Sequence, residues 1–212
     1  MSLILFDLDG TLIDSEPGIC ASIDYAFTKV GAQCPPRDVL RSWIGPPFWQ
    51  TFPGVLGDDT TRIALAIDHY RARFEDVGWS EHEVYPGIAD LIGALADHGD
   101  TLAIVTSKPQ SQAQTIVDHL AFGAEFSRVY GPGTNGRHCE KAGMIGQALA
   151  DFSVRAEVAT MIGDRRFDIE GARANGVRAL GVDWGFGSRE ELVQAGAAAI
   201  ATTPAELLDW LR

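Results

Sequence analysis

From about residue 87 onward the chain alternates short apolar runs with stretches of helical periodicity. No other feature limits its fold so strongly, because a strand–helix–strand succession packs as a parallel sheet joined by right-handed crossovers. The spacing predicts helices over 88–98, 109–120, 141–151, 168–175, 190–194 and 204–211. Strands are expected over 101–105, 126–130, 157–162, 177–182 and 198–201. Near the N-terminus Leu3-Ile4-Leu5-Phe6 has the length of one more buried strand. The stretch that follows is different. Helices are expected over 19–30, 36–43 and 60–76, and no convincing strand falls between Asp14 and about Tyr85. The expected architecture is α/β: a doubly wound, Rossmann-like parallel sheet from residues 1–13 and 87–212, interrupted by a helical block over 14–86.

Composition narrows the class. A chain of 212 residues can bury a real core. The net charge of −12 argues against a polyanion as partner, since neutralising a phosphate backbone needs a basic surface. A small anion held by a few local cations and a metal remains compatible with that charge. Cys20, Cys34 and Cys139 are odd in number and lack metal-ligand spacing, which fits small apolar packers in a reduced, cytoplasmic setting. The N-terminal apolar run stops at Asp7 and has no basic flank, unlike a signal peptide. No segment approaches the length of a membrane span.

Four segments place polar residues at the carboxyl end of an expected strand, where open α/β sheets bind ligands. In Phe6-Asp7-Leu8-Asp9-Gly10-Thr11 the strand gives way to two carboxylates two residues apart. One could attack an electrophile while the other carries a proton, with a metal relieving their repulsion. In Val105-Thr106-Ser107-Lys108-Pro109, two hydroxyls precede a helix start that can bind phosphate oxygens. Lys141 stands at a helix N-terminus, where it opposes the helix dipole unless it neutralises a phosphate or carboxylate. In Gly163-Asp164-Arg165-Arg166-Phe167-Asp168 the spacing can bring two acids towards one point, an oxygen-rich set suited to a hard cation. Each segment alone also has an ordinary reading as a turn, a helix cap or a solvated lysine.

Taken in order, the four segments resemble the haloacid dehalogenase-like phosphohydrolases over essentially the whole chain. That family's D-x-D-G-T is matched by Asp7 to Thr11, its strand-ending Thr or Ser by Thr106, its lone Lys by Lys141, and its G-D-x-x-x-D by Gly163 to Asp168. The helical block corresponds to the family's C1-type cap.

The resemblance implies roles. Asp7 is expected as the nucleophile and Asp9 as the acid/base, with Thr106 and Lys141 stabilising the transferred group. Gly10, Ser107 and Lys108 join Thr106 and Lys141 as candidate phosphate or substrate contacts. Mg²⁺ is the expected cofactor, held by Asp7, the main-chain carbonyl of Asp9, and Asp164, with Asp168 as a direct or water-mediated ligand. The loop Trp43-Ile44-Gly45-Pro46-Pro47-Phe48 is expected to face a substrate or to form a rigid turn, and Arg37 and Arg41 could add charge there. Asp9 argues against the dehalogenase branch. Thr106 to Pro109, Gly163 to Arg165 and Ile44 to Pro47 resemble the phosphoglycolate phosphatase and 5′-nucleotidase branch. The expected partner is a small phosphorylated metabolite, with no nucleic-acid polymer and no membrane, and the protein is expected to be a monomer or small homo-oligomer. A sugar phosphomutase and a non-catalytic phosphate-binding protein stay open as alternatives.

Overall fold

A computed structural model describes residues 2–133 and 140–212. Residues 134–137 of the turn-rich stretch, and Cys139, lie outside the described residues. The chain divides into two compact units, Met1–Asp14 with Val84–Arg212, and Ser15–Glu83. In chain order the elements begin with β1 (Leu3–Phe6), β2 (Ile13–Asp14), α1 (Glu16–Lys29), α2 (Arg37–Ser42), α3 (Phe48–Thr51), α4 (Pro53–Leu56) and α5 (Thr60–Asp76). Then come β3 (Glu83–Val84), α6 (Ile88–His98), β4 (Thr101–Val105), α7 (Gln110–His119), β5 (Phe126–Tyr130) and α8 (Lys141–Asp151). The chain ends with β6 (Ala159–Gly163), α9 (Arg166–Ala174), β7 (Arg178–Val182), α10 (Arg189–Ala195), β8 (Ala199–Ala201) and α11 (Pro204–Leu211).

The first unit is the expected doubly wound α/β fold. Its six strands run in the order β5-β4-β1-β6-β7-β8, all pairs parallel. β1 is central and wholly buried, which explains why its four residues are all apolar rather than alternating. Leu5 lies level with Ala103 and Met161 on its neighbours, so β1, β4 and β6 end side by side. The switch in strand order falls beside β1, and the polar segments follow these strand ends.

Two findings correct the sequence reading here. β2 and β3 are strands in a region expected to have none; each spans two residues, too few to display alternation, and they pair with each other. The helix expected from Asp168 begins at Arg166, so Asp168 is its third residue and not its start.

The second unit is helical and has an aromatic core of its own. Phe27, Trp43 and Phe52 pack with centroids 5.0–6.1 Å apart, and Phe48 joins Phe52 to Tyr70. In the loop expected to face a substrate, Trp43 and Ile44 are buried, and Trp43 belongs to that core. Glu16 at the start of α1 accepts from Arg37 Nε and Arg41 Nη1, each at 2.5 Å, and so ties α1 to α2. Among the described residues no helix is long and apolar enough to cross a membrane.

Candidate active site

The site grows from three adjacent strand ends in the first unit. At the end of β1 the Asp7 N–H still bonds to Ile162 O at 2.9 Å, continuing the ladder, while its carboxylate leaves the sheet. Asp7 Oδ1 accepts from Leu8 N at 2.8 Å and from Lys141 Nζ at 2.9 Å. Two residues on, Asp9 Oδ2 pairs with Lys108 Nζ at 3.1 Å, whereas Asp9 Oδ1 is buried without a hydrogen-bond partner among the described residues. Gly10 makes the turn with φ +81°, and a Cβ there would stand 2.3 Å from Asp164 Oδ2. Only glycine meets both demands.

At the end of β4, Thr106 is buried, and its Oγ1 accepts from Lys108 N at 3.2 Å. Ser107 is half-buried beside it. Lys108 is engaged with Asp9, a partner that its position in the sequence did not suggest.

At the end of β6, Asp164 is fully buried. Asp168 turns back from α9 and accepts Arg165 N–H on Oδ2 at 3.0 Å, capping its own helix. Its Oδ1 lies 2.5 Å from Lys141 Nζ. Carboxylate oxygens of Asp7, Asp164 and Asp168 all fall within 4.8 Å of one another, the one such buried acidic group among the described residues.

Lys141, the first residue of α8, completes the cluster. It is 5% exposed, and its Nζ contacts Val105 O at 2.7 Å as well as Asp7 and Asp168. The sequence left carboxylate neutralisation and a solvated lysine both open; the side chain neutralises two carboxylates.

Electrostatics follow from three converging acids, of which one cation, Lys141, pairs with two. Burial pushes the Asp164 carboxyl up to about 8, and Asp7 and Asp168 add repulsion that the Phe186 N–H only partly offsets. Burial likewise pushes Asp7 up to about 6, against the pull of Lys141. Burial works against the Lys141 ammonium, yet Asp168 and Asp7 outweigh it and the pKa is raised. The cluster is therefore short of positive charge. Hard carboxylate oxygens, buried, convergent and mutually repelling, fit a divalent cation.

Sequence reasoning missed Trp184-Gly185-Phe186-Gly187. The Phe186 N–H donates to Asp164 Oδ2 at 2.7 Å, and Trp184 Nε1 donates to Thr11 O at 3.1 Å. Its signal was position: it follows the end of β7, next to β6, and carries two glycines around an aromatic residue. Cys20 is buried and Cys34 half-buried, where burial pushes the Cys34 thiol up to about 11, away from reactivity.

Known proteins resemble this chain over most of its length. A 5'-nucleotidase of Pseudomonas aeruginosa is 42% identical over 189 residues, covering 89% of this chain and 86% of its own. The tyrosine-protein kinase PtkA of Mycobacterium tuberculosis is 33% identical, covering 99% of this chain and 71% of its own. Among solved structures, a haloacid dehalogenase-like family hydrolase from Streptococcus pneumoniae superposes with a TM-score of 0.93 at 33% identity, over 100% of this chain and 99% of that one. The family model for haloacid dehalogenase-like hydrolases matches residues 4–182, and the chain belongs to that family.

Proposed function

We propose that the protein is a Mg²⁺-dependent phosphomonoesterase that hydrolyses a small phosphorylated metabolite through an aspartyl-phosphate. The observation that carries this reading is the convergence of the Asp7, Asp164 and Asp168 carboxylates within 4.8 Å, beside Lys141. The similarity to a nucleotidase and the family membership support the same reaction class.

Asp7 Oδ1 is held by Leu8 N–H and Lys141, which leaves Oδ2 to attack phosphorus. The ester P–O bond breaks as the Asp7–phosphorus bond forms. Asp9 gives the departing oxygen its proton through Oδ1, the buried atom without a partner, while Lys108 holds Oδ2. Asp9 then takes a proton from water as the water oxygen attacks phosphorus and releases Asp7 with inorganic phosphate. Thr106 donates to the transferring oxygens, the Lys141 ammonium stabilises them by its charge, and Ser107 and the Gly10 turn line the approach, so positioning and charge do most of the work. A divalent cation bound by Asp7, Asp164 and Asp168, with the Asp9 carbonyl, supplies charge neutralisation at the phosphoryl oxygens. Mg²⁺ suits this all-oxygen set. Residues 15–83 act as the cap that selects the ester, and a nucleoside monophosphate or a phosphoglycolate-like acid is the substrate.

The similarity to PtkA favours a second reading, in which a hydroxyl rather than water accepts the phosphoryl group. One assay separates them. Phosphate release is measured from nucleoside monophosphates, phosphoglycolate, sugar phosphates and pyrophosphate, with Mg²⁺ or EDTA, beside Asp7→Asn. Release from one ester class, lost with EDTA and in the variant, is the expected result. No release, with phosphate passed from ATP to a peptide tyrosine, would establish the second.

A further inference from the structure

We propose that the segment from Trp184 to Glu191 is a positioning element for the acidic cluster, with Trp184 and Glu191 as its two side-chain anchors. The proposal rests on reading the cluster as a cation site.

Two of the three acids are oriented from this one segment. The Phe186 N–H holds Asp164 Oδ2 at 2.7 Å, with the Gly187 N–H further off at 3.4 Å. This fixes the plane of a carboxylate whose other oxygen has, among the described residues, a long contact of 3.4 Å from the Thr11 hydroxyl. Gly187 lets the backbones meet this closely, since a Cβ there would lie 1.9 Å from Asp164 O. Trp184 sets the register of the segment on the first loop: its indole N–H donates to the main-chain oxygen of Thr11 at 3.1 Å.

Asp168 is reached at the other end. Glu191 Oε1 accepts from Arg166 N–H at 2.9 Å and from Arg165 Nε at 3.0 Å. The Arg165 N–H in turn holds Asp168 Oδ2 at 3.0 Å. Glu191 therefore grips Arg165, which caps α9, and Arg166, its first residue, and through Arg165 the carboxylate of Asp168. The Ser188 hydroxyl accepts from Glu191 N at 3.1 Å, and Arg189 pairs with Asp183 at 2.9 Å, so the segment is braced along its length. Neither Trp184 nor Glu191 is among the three acids or their lysine, so both act through others. Partners of this kind set metal affinity because they fix ligand geometry before the ion arrives.

The test titrates full-length protein with MgCl₂ by calorimetry, with a melting curve in EDTA for each protein. Trp184→Phe keeps an aromatic ring and removes the N–H. Glu191→Ala removes the grip on α9, and Glu191→Gln keeps an acceptor for the Arg166 N–H. Trp184→Phe and Glu191→Ala should weaken Mg²⁺ binding by about tenfold, the usual effect of losing such a partner, and Glu191→Gln should regain much of it. Phosphate release should need more Mg²⁺ in the same order, with kcat at saturating Mg²⁺ changed less. Melting points lowered in EDTA with Mg²⁺ affinity unchanged would overturn the proposal and leave a structural role only. A wild-type protein that takes up no Mg²⁺, matching an Asp164→Asn control, would overturn the cation reading itself, and the proposal with it.

Discussion

Lys141 lets two of the buried acids, Asp7 and Asp168, sit side by side. Its ammonium lies 2.9 Å from Asp7 and 2.5 Å from Asp168, with almost no exposure to water. Removing one partner of a buried ion pair costs about 3–5 kcal/mol, because the charge left behind has no solvent to stabilise it. Lys141→Met should therefore lower stability to urea by an amount of that order in EDTA. Added Mg²⁺ should restore part of the loss, since it returns positive charge to the same oxygens. Unfolding curves of both proteins in EDTA and in Mg²⁺ measure this, and equal stabilities in EDTA would contradict the ion-pair argument. Gly10 is constrained in a different way. Its φ is +81°, and the 2.3 Å that would separate a Cβ from Asp164 Oδ2 leaves no relaxed place for a side chain. Gly10→Ala should reduce both melting temperature and Mg²⁺ uptake; a variant equal to wild type in both would mean that the turn gives way at little cost.

At the scale of elements, legibility followed the length and chemistry of each signal. β1, β4 and β5 were readable because four or five residues in each have consistent strand character, and the acids and hydroxyls that end β1, β4 and β6 pointed to the site. α3 and α4, of four residues each, are too short to show a helical period. α9 starts earlier than its periodicity suggests because Arg165 and Arg166 look like loop residues until Glu191, distant in sequence, accepts from them. The Trp184–Gly187 segment escaped because its bonds to Asp164 come from main-chain N–H groups, which nearly every residue carries. The link between α1 and α2 also needed the structure, since nothing in the sequence joins Glu16 to Arg37 and Arg41. Burial alone would raise the Glu16 carboxyl, but the two arginines outweigh it and hold the group below its ordinary value of 4.5. A carboxyl lowered on folding stabilises above its unfolded pKa, and that gain is lost as pH falls through the folded value. Arg37 and Arg41 are 68% and 42% exposed, so solvent limits the gain. Its size should stay below about 1 kcal/mol. Glu16→Gln should thus melt slightly lower than wild type near about pH 7, with the difference closing as pH falls through the lowered folded value of Glu16. A difference that grows on acidification would have the wrong sign for this pairing.

At the scale of the whole molecule, the division of labour between the two units makes the strongest claim. All six strands of the main sheet belong to the first unit, as do Asp7, Asp9, Thr106, Lys141, Asp164 and Asp168. The second unit has its own aromatic core around Phe27 and Phe52. A unit with its own core and no missing strand can fold alone. The chain leaves through β2 and returns through β3, and these two strands are hydrogen-bonded neighbours. Residues 14 and 84 can therefore be joined by a few glycines and serines in place of residues 15–83, and closing so short a loop costs little. The excised protein should unfold cooperatively and bind Mg²⁺ about as tightly as the full chain. It should lose preference among phosphate esters, because the residues proposed to select them are gone while those proposed to cleave them remain. Calorimetric Mg²⁺ titration and phosphate release from the same ester panel measure the two consequences separately. Intact Mg²⁺ binding with an unchanged preference would move substrate selection into the first unit, to the loops around Ser107 and Lys108. A protein that no longer folds would mean that the sheet depends on residues 15–83 for more than the choice of substrate.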